Sequence, residues 1–300
     1  IDQNFLYKFN AATGVFDPIP FAGALAGYPG FAITSKKFYV SGTSYATATN
    51  TARFVFTGEG ITPSGNSAIF FYDGTNVKDF TDIGDNPNYA PPLSPVTGVA
   101  AILSRAVYVV GFGERLNFFV PTIDGITYNQ GILYSGIRTG TGNGDKFNVA
   151  GSGFLQADTY EIMTGVTILG QVLSLCFNRS AWTLEKTTDA FNPYFIRRLP
   201  GVLGTNAKFS AQSWDEIVKS MGKTGAVQSD GRQSLRFYNK VPRFTEDEID
   251  QTDFGLTYGG FDRKNNQFLW SYKKSESEST TQNSVLVYNY EEDSWSVNDQ

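Results

Sequence analysis

Histidine is absent from the 300 residues, and cysteine occurs only once. Without histidine there can be no Ser-His-Asp or Cys-His nucleophile system and no His-ligated zinc site. A single cysteine cannot close an intrachain disulfide. Cys176 lies inside the apolar run VLSLCF, where a small buried side chain is the expectation. No apolar stretch approaches the ~20 residues of a membrane-spanning helix, so no membrane segment is expected. The first ten residues, IDQNFLYKFN, lack the basic segment and apolar run of a signal peptide. Positive charge is also in short supply: 24 Lys and Arg face 29 Asp and Glu, a net charge of −5. That balance supplies no global field towards a nucleic-acid backbone or an anionic membrane.

Methionine is scarce at 2, while phenylalanine (25), tyrosine (16) and glycine (31) are plentiful. Residues of this kind build short strands separated by tight turns, and an all-β fold is predicted. The densest pattern spans residues 170–198. Val172, Leu173, Leu175 and Phe177 read as a buried strand, Asn178-Arg179-Ser180 as a turn, and Trp182 and Leu184 as a half-exposed strand. Phe195-Ile196 resumes after a loop holding Asn192-Pro193. Three hairpins repeat one outline: FLYKFNAATGVFDPI, AIFFYDGTNVKDF and SVLVYNYEEDSWSV each pair an aromatic-rich strand with a return strand across a polar turn. Residues 41–51 read as a Ser/Thr/Ala-rich loop, 87–95 as a Pro-rich surface loop or an entry to another blade, and 273–283 as a polar, solvated hairpin tip and the best candidate for mobility. Residues 213–222 fit a capping box before a short helix as well as they fit a strand. At roughly 40–50 residues per four-stranded blade, the chain has room for six or seven blades of a β-propeller. A large β-sandwich is the alternative. A single propeller-like domain over residues 1–300, part of a longer chain, is the expectation.

With histidine gone, the catalytic chemistry still open is a carboxylate pair of the glycosidase type. The Ser-x-Asp-x-Gly-x-x-Trp boxes of sialidase propellers do not occur; Ser229-Asp230-Gly231 lacks both spacing and tryptophan. The cluster Gly140-Thr141-Gly142-Asn143-Gly144 has no Gly-Lys-Ser/Thr and no helix after it, so it reads as a long turn. DIGDNPN (82–88) offers oxygen ligands without the register of a calcium loop. No cofactor, metal or catalytic residue is expected. One charged segment stands out: Glu246, Asp247, Glu248 and Asp250 form an acidic face that could meet a basic neighbour or a channel.

From residue 106 onward the order of the pieces resembles a known family. AVYVVGFGERLNFFV, ILYSGIRTGTGNGDKFN, GQVLSLCFNRSAWTLEK, NPYFIRRLPGVLG, TGAVQSDGRQSLRFYNKVPRF, and QFLWSY with VLVYNYEEDSWSV look like the propeller core of phage tail nozzle proteins. These are the tail tubular proteins of short-tailed phages and the muzzle proteins of crAss-like phages. The motifs carrying the likeness are Tyr134-Ser135 with Asp145-Lys146-Phe147, Ser180-Ala181-Trp182-Thr183-Leu184, and the hairpin Gly225 to Gly231. They build blades and hold no reactive chemistry. The resemblance covers residues 106–297 and implies a non-enzymatic structural virion protein of the tail. Its partners would be other copies of itself in a ring, neighbouring phage tail proteins, and genomic DNA passing through the channel without sequence-specific binding. A receptor- or glycan-binding propeller, an adhesin, is the alternative, because exposed aromatics stack on sugar faces.

Overall fold

The computed structural model describes residues 6–26, 32–33, 39–46, 52–59, 61–62, 68–138, 142–201, 204–237, 244–276 and 282–299. The fold is all-β and propeller-like: among the described residues, five antiparallel sheets have four strands each, with one of three strands and two of two. The chain divides into two compact units, Ile1–Asp158 and Thr159–Gln300.

In the first unit one blade is Tyr39–Ala46, Ala52–Glu59, Ile69–Tyr72 and Val77–Asp79, and the next is Tyr108–Phe112, Arg115–Phe119, Gly131–Tyr134 and Gly153–Gln156. Segment 41–51, expected as a loop, is strand up to Ala46, which pairs with Ala52. Its hydroxyls explain why a Ser/Thr-rich sequence is extended here. Ser41 Oγ accepts from the Val109 amide at 3.0 Å and Thr43 Oγ1 from the Gly111 amide at 3.2 Å, tying the first strands of the two blades together. The core between them is aromatic. Phe80 packs edge-on against Phe71, Tyr89, Phe118 and Phe147, with centroids 5.7 to 6.5 Å apart.

The second unit holds three blades: Met163–Leu169, Val172–Phe177, Ala181–Lys186 and Tyr194–Arg198; Gln212–Trp214, Ile217–Gly222, Gly225–Ser229 and Ser234–Arg236; and Tyr258–Asp262, Gln267–Tyr272, Ser284–Asn289 and Ser294–Asp299. Each is a meander in chain order, and the first strands of successive blades are neighbours. That radial order is how propeller blades meet, whereas sandwiched sheets meet face to face. The convergence leaves no room for a side chain at Gly259, where a Cβ would stand 2.4 Å from the Ser210 carbonyl oxygen.

The ambiguity at 213–222 is resolved as a hairpin. Trp214 pairs with Ile217, and Asp215 takes the left-handed conformation (φ 54°) that a two-residue turn requires. The strand carrying Trp182 is not half-exposed: Ala181, Trp182, Thr183 and Leu184 are all buried. It is an inner strand, paired on both sides, and its polar members are satisfied locally. Thr183 donates to Glu185 at 2.9 Å, and Trp182 Nε1 donates to Ser180 Oγ at 2.8 Å. The Ser-x-Trp pattern is thus a hydrogen-bonded corner.

Candidate functional site

The acidic segment begins on the short helix Phe244–Asp247. Glu246, Asp247 and Glu248 are exposed and have no ion pair among the described residues. Asp250 parts from them. Its Oδ2 lies 2.7 Å from Lys273 Nζ, which also reaches Asp253 at 3.3 Å, and the lysine hydrogen bond holds the Asp250 carboxyl below its ordinary pKa. Ile249, between the two groups, is buried, and Ser275 fastens the segment by donating to the Asp247 and Glu248 carbonyls at 2.9 Å. The acidic face is therefore three carboxylates on an anchored turn. The polar tip at 273–283 lies partly outside the described residues, as does part of the glycine cluster at 140–144. The Asp82 and Asp85 carboxylates cap backbone amides: Asp82 accepts from Gly84 and Asp85, and Asp85 from Ala24 and Asp79. Among the described residues no cluster of three or more acidic or cysteine side chains could hold a metal.

Two further constellations are assembled from residues spread along the chain. In the first, Lys219 is 4% exposed in the penultimate blade. Its Nζ sits 3.1 Å from the ring centroid of Phe237 and 4.7 Å from that of Tyr288, and donates to Gln228 Oε1 at 2.8 Å. Burial pushes the ammonium down to about 8, opposed by the charge of Asp293; the ring faces also favour the charged form. Because the folded pKa lies below that of an unfolded lysine, the unfolded chain binds more protons between about pH 8 and 10.5, and stability contributed by Lys219 is lost as pH falls through that window. Lys219→Met should abolish this rise in stability with pH, read as urea midpoints at several alkaline pH values; an unchanged slope would show that the amine titrates as a solvated lysine.

The second constellation lies where the 178–180 turn meets the start of the next blade. A cavity of 510 Å³ is lined by Arg179, Arg198, Lys223, Glu161, Asn178 and Asn206, among others. Its wall is the Ser-x-Trp corner. Ser180 Oγ, which accepts from Trp182, donates in turn to Glu161 Oε2 at 3.0 Å, and the Arg179 amide donates to the same oxygen at 2.9 Å. Gly204 lets the next segment approach: a Cβ there would stand 2.3 Å from the Arg179 amide nitrogen and the Phe177 carbonyl oxygen. Arg198 pairs with Trp182 across the strands and lays its guanidinium 6.0 Å from the indole centroid.

The first unit carries a different surface. Leu93, Val96, Val99 and Ile102 are all about half-exposed or more, on a segment folded back by the Leu93 to Ala100 bridge. Exposed Ile126 belongs to the three-stranded sheet that includes Leu103–Arg105, directly after Ile102.

No family model matches the chain, and no curated protein sequence does. Solved structures show distant likeness. The extracellular domain of a putative one component system, BT4673 from B. thetaiotaomicron, has 12% identity and a TM-score of 0.40, over 90% of this chain and 29% of that one. The N-terminal domain of Nup159 has 9% identity and a TM-score of 0.40, over 94% of this chain and 70% of that one. The AfRom2 CNH domain has 10% identity and a TM-score of 0.33, over 90% of this chain and 89% of that one. This chain thus spans less than a third of the first of these proteins, and at such identities and scores the likeness assigns neither family nor activity.

Proposed function

We propose that this chain is a structural virion protein, a component of a phage tail nozzle that builds part of a ring around the DNA ejection channel. The observation carrying the reading is the exposed apolar segment from Leu93 to Ile102, continued by Ile126. A run of exposed branched side chains is what a subunit contact covers, and the occupant that fits the resemblance of residues 106–297 is a neighbouring copy of the same protein. A ring needs heterologous contacts whose rotation closes, and rigid four-stranded blades supply a wall for them. In this reading the protein works by shape, without catalysis or cofactor, in the tail of the virion.

The test is the mass of the protein in solution together with negative-stain images of it. Closed rings are expected. Discrete monomers by both measurements would overturn the reading, and rings that persist unchanged when Val96, Val99 and Ile102 are replaced by serine would remove that segment from the subunit contact. Within this reading the acidic turn faces the channel, where negative charge repels the DNA backbone and lets it slide. Reversing Glu246, Asp247 and Glu248 to lysine should slow DNA ejection, measured as dye release from filled particles. Unchanged ejection would remove these residues from the lumen.

A further inference from the structure

We propose that the cavity beside the 178–180 turn binds a carboxylate-bearing sugar, such as a uronic acid unit of a surface polysaccharide. Three features point to a ligand of mixed character. First, Arg179, Arg198 and Lys223 line one cavity of a chain whose net charge is −5, and among the described residues none of them has an ion-pair partner. Three cations against one carboxylate, Glu161, leave the cavity net positive, and the fork of an arginine suits a carboxylate ligand.

Second, Asn178 Oδ1 is buried at this cavity and has no hydrogen-bond partner. A buried acceptor left unmatched costs free energy, and a turn of the Asn178 amide towards the cavity would let a ligand hydroxyl supply the missing donor. Third, the Glu161 carboxylate stands in the same wall, fixed by the Arg179 amide and Ser180 Oγ. Its negative charge opposes densely charged ligands such as polyphosphates. One carboxylate among several hydroxyls answers all three features. The volume of 510 Å³ lies within the ~300–1,000 Å³ of small-molecule clefts and accommodates more than one sugar ring.

The site is preorganised. The Trp182 to Ser180 to Glu161 hydrogen-bond relay fixes the turn that carries Arg179, and the Trp182 ring positions Arg198. This inference does not rest on the tail reading: a ring protein without sugar affinity, and a sugar-binding protein that forms no ring, are separate outcomes of separate measurements.

The experiment is calorimetric titration of the full chain with galacturonic acid and its short oligomers, with galactose and inorganic phosphate as comparison ligands. Binding of the uronate is expected, with galactose at least about tenfold weaker, the loss of one charge-assisted contact of about 1.4 kcal/mol. The double variant Arg179→Ala, Lys223→Ala removes two exposed side chains outside the core and should weaken uronate binding by at least about tenfold while leaving the melting temperature unchanged. Asn178→Asp replaces the waiting acceptor with a charge and should lower uronate affinity again. Absence of uronate binding, phosphate binding tighter than the uronate, or equal affinities for uronate and galactose would each overturn the proposal.

Discussion

Arg53→Met should strongly destabilise the first unit, and the loss should depend on pH. Arg53 Nη1 lies 3.5 Å from Asp145 Oδ2 and donates to Asn86 Oδ1 at 3.1 Å, and the guanidinium rests 4.5 Å from the Phe71 ring centroid. Asp145 is 2% exposed, and neither carboxylate oxygen has a hydrogen-bond partner. Among the described residues Arg53 is therefore its one charge compensation. Burial raises the Asp145 carboxyl above its ordinary pKa, and the arginine charge pulls it back. Removing one member of a buried pair costs about 3–5 kcal/mol, which corresponds to a fall in melting temperature of roughly 10 °C in a unit of this size.

The pH dependence follows from the direction of that shift. A carboxyl with a raised folded pKa favours the folded state below its unfolded pKa, and loses that contribution as pH rises through the folded value. Without Arg53 the folded pKa climbs further, so the penalty is largest near neutral pH and shrinks towards about pH 4, where the acid is neutral. Calorimetric scans of both proteins at the two pH values test this. An equal loss at both would mean that the arginine contributes packing over Phe71 and no charge compensation.

Gly259→Ala is the second large effect, confined to the second unit. The added methyl would meet the Ser210 carbonyl oxygen at 2.4 Å and the Gln212 side chain at 2.9 Å. Neither can withdraw cheaply. Ser210 O accepts from Trp270 Nε1 at 3.0 Å, Gln212 Nε2 donates to the Gly259 carbonyl at 2.9 Å, and the Gly259 amide donates to Phe209 O at 3.1 Å. Trp270 is fully buried beneath Trp295 and Phe268, so moving Ser210 disturbs the centre of that core. Forcing a methyl into such a contact costs about 3 kcal/mol, or a fall of roughly 9 °C.

The neighbouring Gly260 provides the control. It has open space around its Cβ direction and no positive φ, so Gly260→Ala should be neutral or slightly stabilising, because alanine has less freedom to lose on folding. Thermal melts of the two variants should differ by several degrees. Similar melts would show that the blades can move apart at this junction without loss.

The sequence was most informative where structure is local. Alternating aromatics with Asp-Gly and Asn-rich turns sufficed to place the hairpins at 69–79 and 284–299, because a strand and its return need only a period of two and a turn residue. The absence of histidine fixed the excluded chemistry outright. Ser180 and Trp182 were visible as a motif, yet the hydrogen bond that explains them needs the strand's corner geometry.

What tertiary structure alone decided is everything that depends on residues distant in sequence. Segment 41–46 became a strand because its hydroxyls found the amides of Val109 and Gly111, 68 residues away in each case. Residues 213–222 became a hairpin because Ile217–Gly222 pairs with Gly225–Ser229 as well as with Gln212–Trp214, overriding a passable capping box. The Trp182 strand, polar at alternate positions, is buried because both its neighbours pair with it. The Arg53 and Asp145 pair, the Lys219 cage and the basic cavity unite residues from separate strands and turns. No periodicity records such meetings, since side-chain alternation fixes only which face of a strand a residue occupies, while blade packing fixes what that face meets.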